Sequence, residues 1–252
     1  MTGITSNSVV YTLAGTDSPF TYREADSRVA IFVDLDGTLA ISPISRIIRE
    51  AYAVLASASG LRLEDVESMS WTLHIELVKE SKPLAFDWDY IYREVAKRLG
   101  VKESYNVENK LLEMCHLTKI LDDALTVLPR LRKPNTLLIL ATNGLMKYQR
   151  CVIELYGLEK YFDRIVTPDS CGCLKNCERF YKVDPSISSG VVVGDNYTFD
   201  VYYPKKFGLR AIYIARSKHD PYLQWMGIDR SVEPDITIDD LRNLPKLLET
   251  LP

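Results

Sequence analysis

The sequence predicts an α/β fold, in which strands of a parallel sheet alternate with helices. Short apolar runs rich in valine and isoleucine recur along the chain, and helical patterns separate them. Alternation of this kind is typical of a parallel sheet with helices packed on its faces. One long stretch, residues 43–121, breaks the alternation because it has amphipathic helical patterns and no β-rich run. This stretch predicts an α-helical insert in the sheet domain.

Five apolar runs are the candidate strands. Each is short and apolar on both faces, as expected of a strand buried inside a parallel sheet. They occupy residues 29–33, 136–141, 164–166, 190–193 and 211–215.

Three helical patterns lie between or after these strands. Residues 145–156 have apolar positions at helical spacing and end at Gly157, a favourable C-cap. Residues 197–207 have a helical pattern that Pro204 limits, and residues 239–251 close the chain with an amphipathic pattern.

Three further amphipathic patterns fill the insert, at residues 45–59, 63–79 and 87–99, and Gly60 and Gly100 follow two of them as stop signals. The predicted organisation has an N-terminal extension, a core domain in two pieces, and a helical domain inserted between them. These are residues 1–27, with a candidate edge hairpin at 9–13 and 20–23, then 28–42 and 122–252, and the insert at 43–121.

The composition is that of an ordinary globular protein. The chain has 252 residues, 46% of them hydrophobic, which suffices for the core of one or two domains. Its net charge of -3 shows no basic excess, so we expect no nucleic-acid partner. No window approaches the roughly 18 consecutive apolar residues of a membrane span, and the N-terminus does not resemble a secretory signal. We therefore expect a cytoplasmic protein without a membrane partner, and the oligomeric state is open.

Polar side chains follow the ends of three predicted strands, which is where open parallel sheets bind their ligands. They are Asp34, Asp36 and Thr38 after the first strand, Thr142 and Asn143 after the second, and Asp195 and Asp200 after the fourth, with Lys175 in the preceding loop. Gly37 allows a sharp turn and the close approach of a backbone N–H to a phosphate.

Carboxylates combined with a lysine indicate phosphate chemistry with a divalent metal. Asp34 and Asp195 supply carboxylate oxygens, the ligands that Mg²⁺ prefers, and without a cation they would repel each other. Lys175 adds a positive charge suited to phosphate, while Thr142 and Asn143 offer a hydroxyl and an amide. The predicted substrate is therefore a small phosphorylated molecule.

Asp34 and Asp36 have complementary roles in the predicted reaction. A carboxylate nucleophile forms an aspartyl-phosphate, which divides one difficult displacement into two easier ones. A second carboxylic acid two residues away protonates the leaving alkoxide and then activates the attacking water. We predict Mg²⁺-dependent hydrolysis of a phosphomonoester with Asp34 as the nucleophile and Asp36 as the general acid and base.

Four short motifs, in this order, resemble those of the haloacid dehalogenase superfamily. They are VDLDGTL at residues 33–39, Thr142-Asn143, Lys175, and Gly194-Asp195 with Asp200. The resemblance covers nearly all of residues 28–252. It implies a Rossmann-like parallel sheet core with an inserted α-helical cap domain of the C1 type, which closes over the substrate.

The resemblance also implies a metal site. Asp34 would be both the nucleophile and a Mg²⁺ ligand, and Asp36 would offer its backbone carbonyl to the metal besides acting as acid and base. Asp195 would complete the site. Asp200 would be either a further metal ligand or a support for Lys175.

The same resemblance assigns the phosphoryl group to Thr142 and Lys175, with Asn143 beside them. The loop around the lysine departs from the family pattern, because many relatives follow this lysine with proline and Asn176 stands here. Lys182 is the alternative lysine for this position.

The cysteines and histidines are less informative. The number of cysteines is five, which is odd and argues against a full disulfide framework. Three of them lie in the lysine loop at a spacing that matches no standard zinc site, so free thiols are the first interpretation and a disulfide the second: Cys171, Cys173 and Cys177. The histidines are isolated from one another and are interpreted as structural or surface residues: His74, His116 and His219.

The insert is rich in aromatic residues, which are more often core than substrate contacts. One or two of them are nonetheless candidates for the lining of a cavity under the cap: Trp71, Phe86, Trp88, Tyr90 and Tyr92. Arg46 and Lys82 are candidates for the far end of the substrate, although most such charges are solvated.

Each motif alone has a simpler interpretation. Residues 34–37 could form a turn or a calcium loop, but an EF-hand would need Gly and Glu where Leu39 and Ser45 stand. Thr142 could merely cap a helix, and Asp195 could begin a turn. The strand context and the order of the motifs favour the catalytic interpretation.

Four other functions remain as alternatives. A dehalogenase shares the nucleophile but needs neither metal nor second acid, so Asp36 argues against it. A phosphomutase keeps both aspartates and is separated by an assay of sugar-phosphate isomerisation with a bisphosphate activator. A signalling receiver also uses a phospho-aspartate, but it is about half this length and lacks a large insert. A binding module would lack a catalytic group, and none is missing.

Overall fold

A computed structural model describes residues 27–102, 104–216 and 219–250. The hairpin predicted at residues 9–13 and 20–23 lies outside these ranges, as does nearly all of the N-terminal extension. The described ranges contain the strands β1 (Arg28–Val33), β2 (Ala40–Ile41), β3 (Lys119–Ile120), β4 (Thr136–Ala141), β5 (Arg164–Val166), β6 (Ile187–Gly194), β7 (Arg210–Ile214) and β8 (Ile236–Ile238).

Six of these strands form one parallel sheet in the order β5-β4-β1-β6-β7-β8, which confirms the predicted α/β class. The central strand β1 is buried on both faces, as its apolar sequence predicts. Ile31 and Val33 pack into a core cluster on one side, and Ala30 and Phe32 pack into another on the opposite side. Alternate residues of a strand point to opposite faces, so two apolar clusters require an apolar run without alternation.

Helices cover the chain between and after the strands. They are α1 (Ile44–Ser59), α2 (Leu63–Lys79), α3 (Trp88–Leu99), α4 (Val107–Met114), α5 (Ala124–Val127), α6 (Met146–Tyr156), α7 (Pro168–Cys171), α8 (Tyr203–Lys206), α9 (Tyr222–Met226) and α10 (Leu244–Thr250). The helix predicted at residues 197–207 is divided in two. Tyr197–Tyr202 form a π-helical turn, and α8 follows with Pro204 in its first turn. The helix predicted at residues 239–251 begins later, after a 3-10 turn at Leu241–Asn243.

The helices α1 to α4 form a helical insert, which we define as residues 44–117. It leaves and rejoins the sheet domain through β2 and β3, which pair antiparallel as a short ribbon. Its amphipathic helices bury their apolar faces against one another, with Ile47, Leu55 and Val95 fully buried. Gly60 and Gly100 end α1 and α3 with positive φ angles of 74° and 67°, a conformation that favours glycine.

A disulfide joins Cys115, just after α4, to Cys151 on α6. It ties the end of the insert to a core helix across 36 residues of sequence, and no local pattern identified this pair. Cys171, Cys173 and Cys177 are free thiols, which confirms their first interpretation.

The three histidines are structural or surface residues, as predicted. His74 is fully buried, and its Nδ1–H donates to the Ala85 carbonyl at 2.6 Å. His116 and His219 are exposed. Within the described ranges, none of the helices combines the length and apolar character that a membrane crossing requires.

Candidate active site

The loop after β1 holds the first candidate residues at the carboxyl edge of the sheet. The Asp34 N–H donates to the Val193 carbonyl at 2.9 Å, which extends the pairing of β1 and β6 by one residue. Gly37 then turns the chain with a φ of 83°, and its N–H donates to the Ala40 carbonyl at 2.8 Å. A Cβ added at Gly37 would overlap the carboxylate of Asp195, so the turn requires glycine for space as well as conformation.

Lys175 lies at the centre of the site and is fully buried. Its Nζ donates to Asp34 Oδ1 at 2.6 Å and to Asp200 Oδ1 at 2.7 Å. The two carboxylates supply the charge pairing that a buried ammonium requires. Lys182, by contrast, pairs with Glu178 on the surface and has a side chain that is 66% exposed. The lysine beside Asp34 is therefore Lys175, and not Lys182.

The loop that carries Lys175 is anchored on both sides. The Lys175 N–H donates to Asn143 Oδ1 at 2.9 Å, so the segment that follows β4 holds the loop in position. Asn176, which stands where many relatives have proline, donates from Nδ2 to the Val78 carbonyl at the end of α2 at 2.7 Å. This departure from the family pattern thus links the lysine loop to the helical insert.

Three carboxylates, those of Asp34, Asp195 and Asp200, form an acidic cluster whose ligand atoms lie within 4.8 Å of one another. Asp195 accepts from the Thr38 hydroxyl at 3.1 Å, and Asp200 accepts from the Asn196 N–H at 3.0 Å. These bonds orient two of the carboxylates but leave the cluster with more negative charge than Lys175 neutralises.

The pKa values of the cluster reflect its burial first and the neighbouring charges second. Burial, followed by the charges of Asp34 and Asp200, raises the pKa of Asp195 to about 7. Burial also raises the pKa of Asp200 to about 6, against the opposing charge of Lys175. Burial alone would lower the pKa of Lys175, but attraction to Asp200 and Asp34 outweighs it and raises that pKa. An added divalent cation would favour the ionised carboxylates, and their oxygens are the ligands that Mg²⁺ takes.

Asp36 is held by a residue that sequence reasoning missed. The side-chain amide of Gln149, on α6, donates to Asp36 Oδ2 at 2.6 Å. Desolvation, followed by the charge of Asp34, raises the pKa of Asp36 to about 6, and the bond from Gln149 opposes the rise. In the sequence Gln149 is a glutamine within the helical pattern 145–156. That pattern does not show that the side chain points toward the loop after β1.

Thr142 and Asn143 occupy the end of β4, beside β1. The Thr142 N–H donates to the Val166 carbonyl at 3.1 Å, which fixes the strand end. The Thr142 hydroxyl accepts from the Gly144 N–H at 3.0 Å, and its own proton remains to be donated. Thr142 is therefore placed as a hydrogen-bond donor in the cavity described next.

These side chains surround a cavity of about 190 Å³. Its lining contains every residue predicted for catalysis or for the phosphoryl group, and of the metal-site candidates it lacks Asp195. The lining residues are Asp34, Asp36, Ser42, Ile44, Phe86, Trp88, Thr142, Asn143, Gly144, Tyr148, Gln149, Lys175, Asn196, Phe199, Asp200 and Tyr222.

The helical insert supplies part of this lining. Phe86 and Trp88 line the cavity, in agreement with the expectation that one or two aromatic residues of the insert would do so. Trp71 does not line it. Arg46 and Lys82 are also outside the lining and pair with Glu50 and Glu80.

Comparisons with known proteins place this chain among hydrolases. A family profile described as haloacid dehalogenase-like hydrolase matches residues 29–202. A haloacid dehalogenase (HAD) phosphatase from Thermococcus onnurineus is 24% identical, with a TM-score of 0.65 over 87% of this chain and 97% of that one. A putative HAD-hydrolase from Bacillus subtilis, YfnB bound to magnesium, is 18% identical, with a TM-score of 0.59 over 89% and 99% of the two chains.

A third solved structure carries a different activity on the same fold. The L-2-haloacid dehalogenase from Xanthobacter autotrophicus is 18% identical, with a TM-score of 0.59 over 88% of this chain and 99% of that one. No curated protein sequence matches the chain. Because phosphatases and dehalogenases share this architecture, the residues of the site must distinguish between the two reactions.

Proposed function

The chain belongs to the haloacid dehalogenase-like hydrolases, and on that premise we propose that it is a Mg²⁺-dependent hydrolase of small phosphomonoesters. The observation that carries the proposal is a second carboxylic acid, Asp36, in the same cavity as Asp34. A phosphate ester has an alkoxide leaving group that needs a proton, whereas a halide leaves without one. The HAD phosphatase from Thermococcus onnurineus shares the fold and is in agreement with this choice.

In the proposed reaction, a carboxylate oxygen of Asp34 attacks the phosphorus atom, and the bond from phosphorus to the ester oxygen breaks. Asp36 gives its proton to the departing oxygen, which leaves as an alcohol. Water then attacks the phosphorus of the phospho-aspartate and gives a proton to the Asp36 carboxylate. Phosphate departs, and both side chains return to their starting states. Lys175 and Thr142 hold the phosphoryl oxygens in both steps.

The acidic cluster is the proposed Mg²⁺ site. Asp34, Asp195 and Asp200 offer hard carboxylate oxygens, and a cation beside them would offset the burial that raises the pKa values of Asp195 and Asp200. When bound, the ion would neutralise charge on the phosphoryl oxygens. The structure of YfnB was obtained with magnesium, which supports the same choice of ion.

We further propose that the helical insert acts as a cap over the cavity, because Phe86 and Trp88 of the insert line it together with core residues. A cap excludes bulk water and limits the substrate to small molecules.

The proposal is tested with Asp34→Asn and with metal removal. We expect the activity of Asp34→Asn on 4-nitrophenyl phosphate to be at least about 10³-fold lower than that of the wild type. Activity of the wild type should disappear in EDTA and return with Mg²⁺. Substantial activity of Asp34→Asn would contradict the assignment of Asp34 as the nucleophile. Persistent activity in chelator would contradict a role for the metal in the reaction. Chloride release from L-2-chloropropionate would favour the dehalogenase, and bisphosphate-activated isomerisation of a sugar phosphate would favour the phosphomutase.

A further inference from the structure

Several of the cavity residues that take no part in the proposed chemistry are aromatic. Phe86, Trp88, Phe199 and Tyr222 line the cavity, and we call these four residues the aromatic wall. The ring centroids of Phe199 and Tyr222 are 4.7 Å apart, and that of Phe86 is 6.0 Å from Trp88 and 6.4 Å from Phe199. The wall is therefore a continuous aromatic surface contributed by both the insert and the core.

Two polar groups near the wall are hydrogen-bonded within the protein. The Tyr222 hydroxyl donates to His74 Nε2 at 3.0 Å. The side-chain oxygen of Asn196 accepts from the Phe199 N–H at 3.0 Å. The wall therefore offers a ligand mainly ring faces and edges, and the hydroxyl of Tyr222 is already paired within the protein.

Positive charge is scarce around the cavity. Among the described residues that line it, Lys175 is the only cation, and two of its donors bind Asp34 and Asp200. The proposed chemistry assigns Lys175 to the transferred phosphoryl group. A second phosphate or a carboxylate on the leaving group would have no cationic partner here, and a buried charge without a partner is strongly disfavoured.

The size of the cavity sets a further limit. Its volume of about 190 Å³ is below the roughly 300–1,000 Å³ of typical ligand pockets. After a phosphoryl group is placed beside Asp34, the remaining space suits a group of about one ring.

We propose that the leaving group of the substrate is a small, uncharged aromatic alcohol, an inference that rests on the proposed phosphomonoester hydrolysis. The phosphoryl group binds beside Asp34, Thr142 and Lys175, and the ring of the alcohol packs against the aromatic wall. A bisphosphate has no cationic partner for its second group in this cavity, so the same features disfavour a phosphomutase that depends on such an activator.

The test compares substrates whose leaving groups are all alkoxides, so that binding rather than leaving-group reactivity decides the rates. The purified full-length protein with Mg²⁺ is assayed for kcat/KM on benzyl phosphate, glycerol 3-phosphate and fructose 1,6-bisphosphate. We expect kcat/KM for benzyl phosphate to exceed that for either other ester at least tenfold. Hydrolysis of all three esters without this preference would overturn the aromatic substrate class and leave the phosphatase in place. No hydrolysis of any of them by folded protein would overturn the proposed function, and the inference with it.

Two variants connect the preference to the aromatic wall. Trp88→Leu should reduce the ratio of kcat/KM for benzyl phosphate to that for glycerol 3-phosphate at least fivefold. The ratio is independent of the concentration of active enzyme, and Phe86→Leu provides a second variant should Trp88→Leu fold poorly. Trp71→Leu is the matched control, because Trp71 packs against His74 and Tyr222 without lining the cavity. An unchanged ratio in Trp88→Leu or Phe86→Leu, or an equal reduction in Trp71→Leu, would overturn the assignment.

Discussion

The side-chain amide of Gln149 donates a 2.6 Å hydrogen bond to Oδ2 of Asp36, and so links the core helix α6 to the proposed general acid. The backbone leaves room for this contact at Gly144, where an added Cβ would overlap the Gln149 amide. Gln149 is itself buried. The orientation of Asp36 in the cavity therefore depends on a helix that begins only after the end of β4.

Replacement of Gln149 by leucine should alter the pH dependence of the reaction. Asp36 must be protonated to protonate the leaving group, so kcat/KM falls as pH rises through its pKa. The bond from Gln149 lowers that pKa, and its loss therefore moves the alkaline decline to higher pH. We also expect kcat to fall roughly tenfold because Asp36 is less well oriented. A pH profile of kcat/KM on benzyl phosphate measures the shift.

The control for this variant is Gln224→Leu, at an exposed position on α9. It should leave both the profile and kcat unchanged. An alkaline decline that stays in place in Gln149→Leu would show that Gln149 does not act on the ionisation of Asp36.

The positions of the central strands were predictable because a strand that is buried on both faces has a continuous apolar sequence. The strands at residues 136–141 and 164–166 have the predicted bounds. The strand β8, Ile236–Ile238, was missed because the exposed Thr237 divides its two isoleucines. A short run that a polar residue interrupts does not stand out from a loop.

Site residues at strand ends were predictable for a similar reason, and those on helices were not. Asp34, Thr142 and Asp195 follow parallel strands whose carboxyl ends meet at one edge of the sheet. The direction of Gln149 depends on where α6 begins and how it packs, and the partner of Cys115 depends on how the insert folds back. Both are long-range relationships that periodicity does not encode.

Substitution of Gly194 by alanine should disable the site without changing any polar group. A Cβ at Gly194 would overlap the carboxylate of Asp200, which holds Lys175. A displacement of about 1 Å in such a site costs roughly 10²-fold in rate, so we expect kcat to fall by about that factor. Because Asp200 also belongs to the proposed Mg²⁺ site, half-maximal activity should require a higher Mg²⁺ concentration, which steady-state kinetics at varied Mg²⁺ measures.

Gly190→Ala is the control on the same strand, β6. The atoms nearest to its Cβ would belong to the side chains of Leu209 and Phe32 and to the Ala30 carbonyl, so its effect should be on thermal stability rather than kcat. Equal loss of kcat in the two variants would assign the effect to the strand as a whole.

His74 should make the protein less stable in mild acid. Burial, with a smaller opposing effect of the bond to Ala85, lowers its pKa from 6.5 to about 4. Between these values the unfolded chain binds more protons than the folded one, so stability is lost as pH falls from about 6.5 toward 4. The expected loss approaches about 3 kcal/mol. Urea denaturation at several pH values measures it.

The variant His74→Gln removes this titration and should flatten the acid side of the curve relative to the wild type. Because the carboxylates titrate in both proteins, the difference between the two curves isolates His74. His116→Gln, at an exposed histidine, should retain the wild-type slope. A wild-type slope in His74→Gln would contradict the assignment.

The disulfide between Cys115 and Cys151 should stabilise the fold by fixing the insert to α6. The two cysteines are 36 residues apart in the sequence, and the bond between them restricts the unfolded chain. The expected stabilisation is about 3–4 kcal/mol. Cys115→Ser, or reduction of the wild type by dithiothreitol, should therefore lower the free energy of unfolding in urea by about that amount. Cys171→Ser removes a free thiol and should have little effect. While the bond is intact, only the three cysteines in the lysine loop should react with a thiol reagent in the unfolded protein. Five titratable thiols in the unfolded, unreduced protein would therefore show that the bond does not contribute. An unchanged urea midpoint after reduction would show the same.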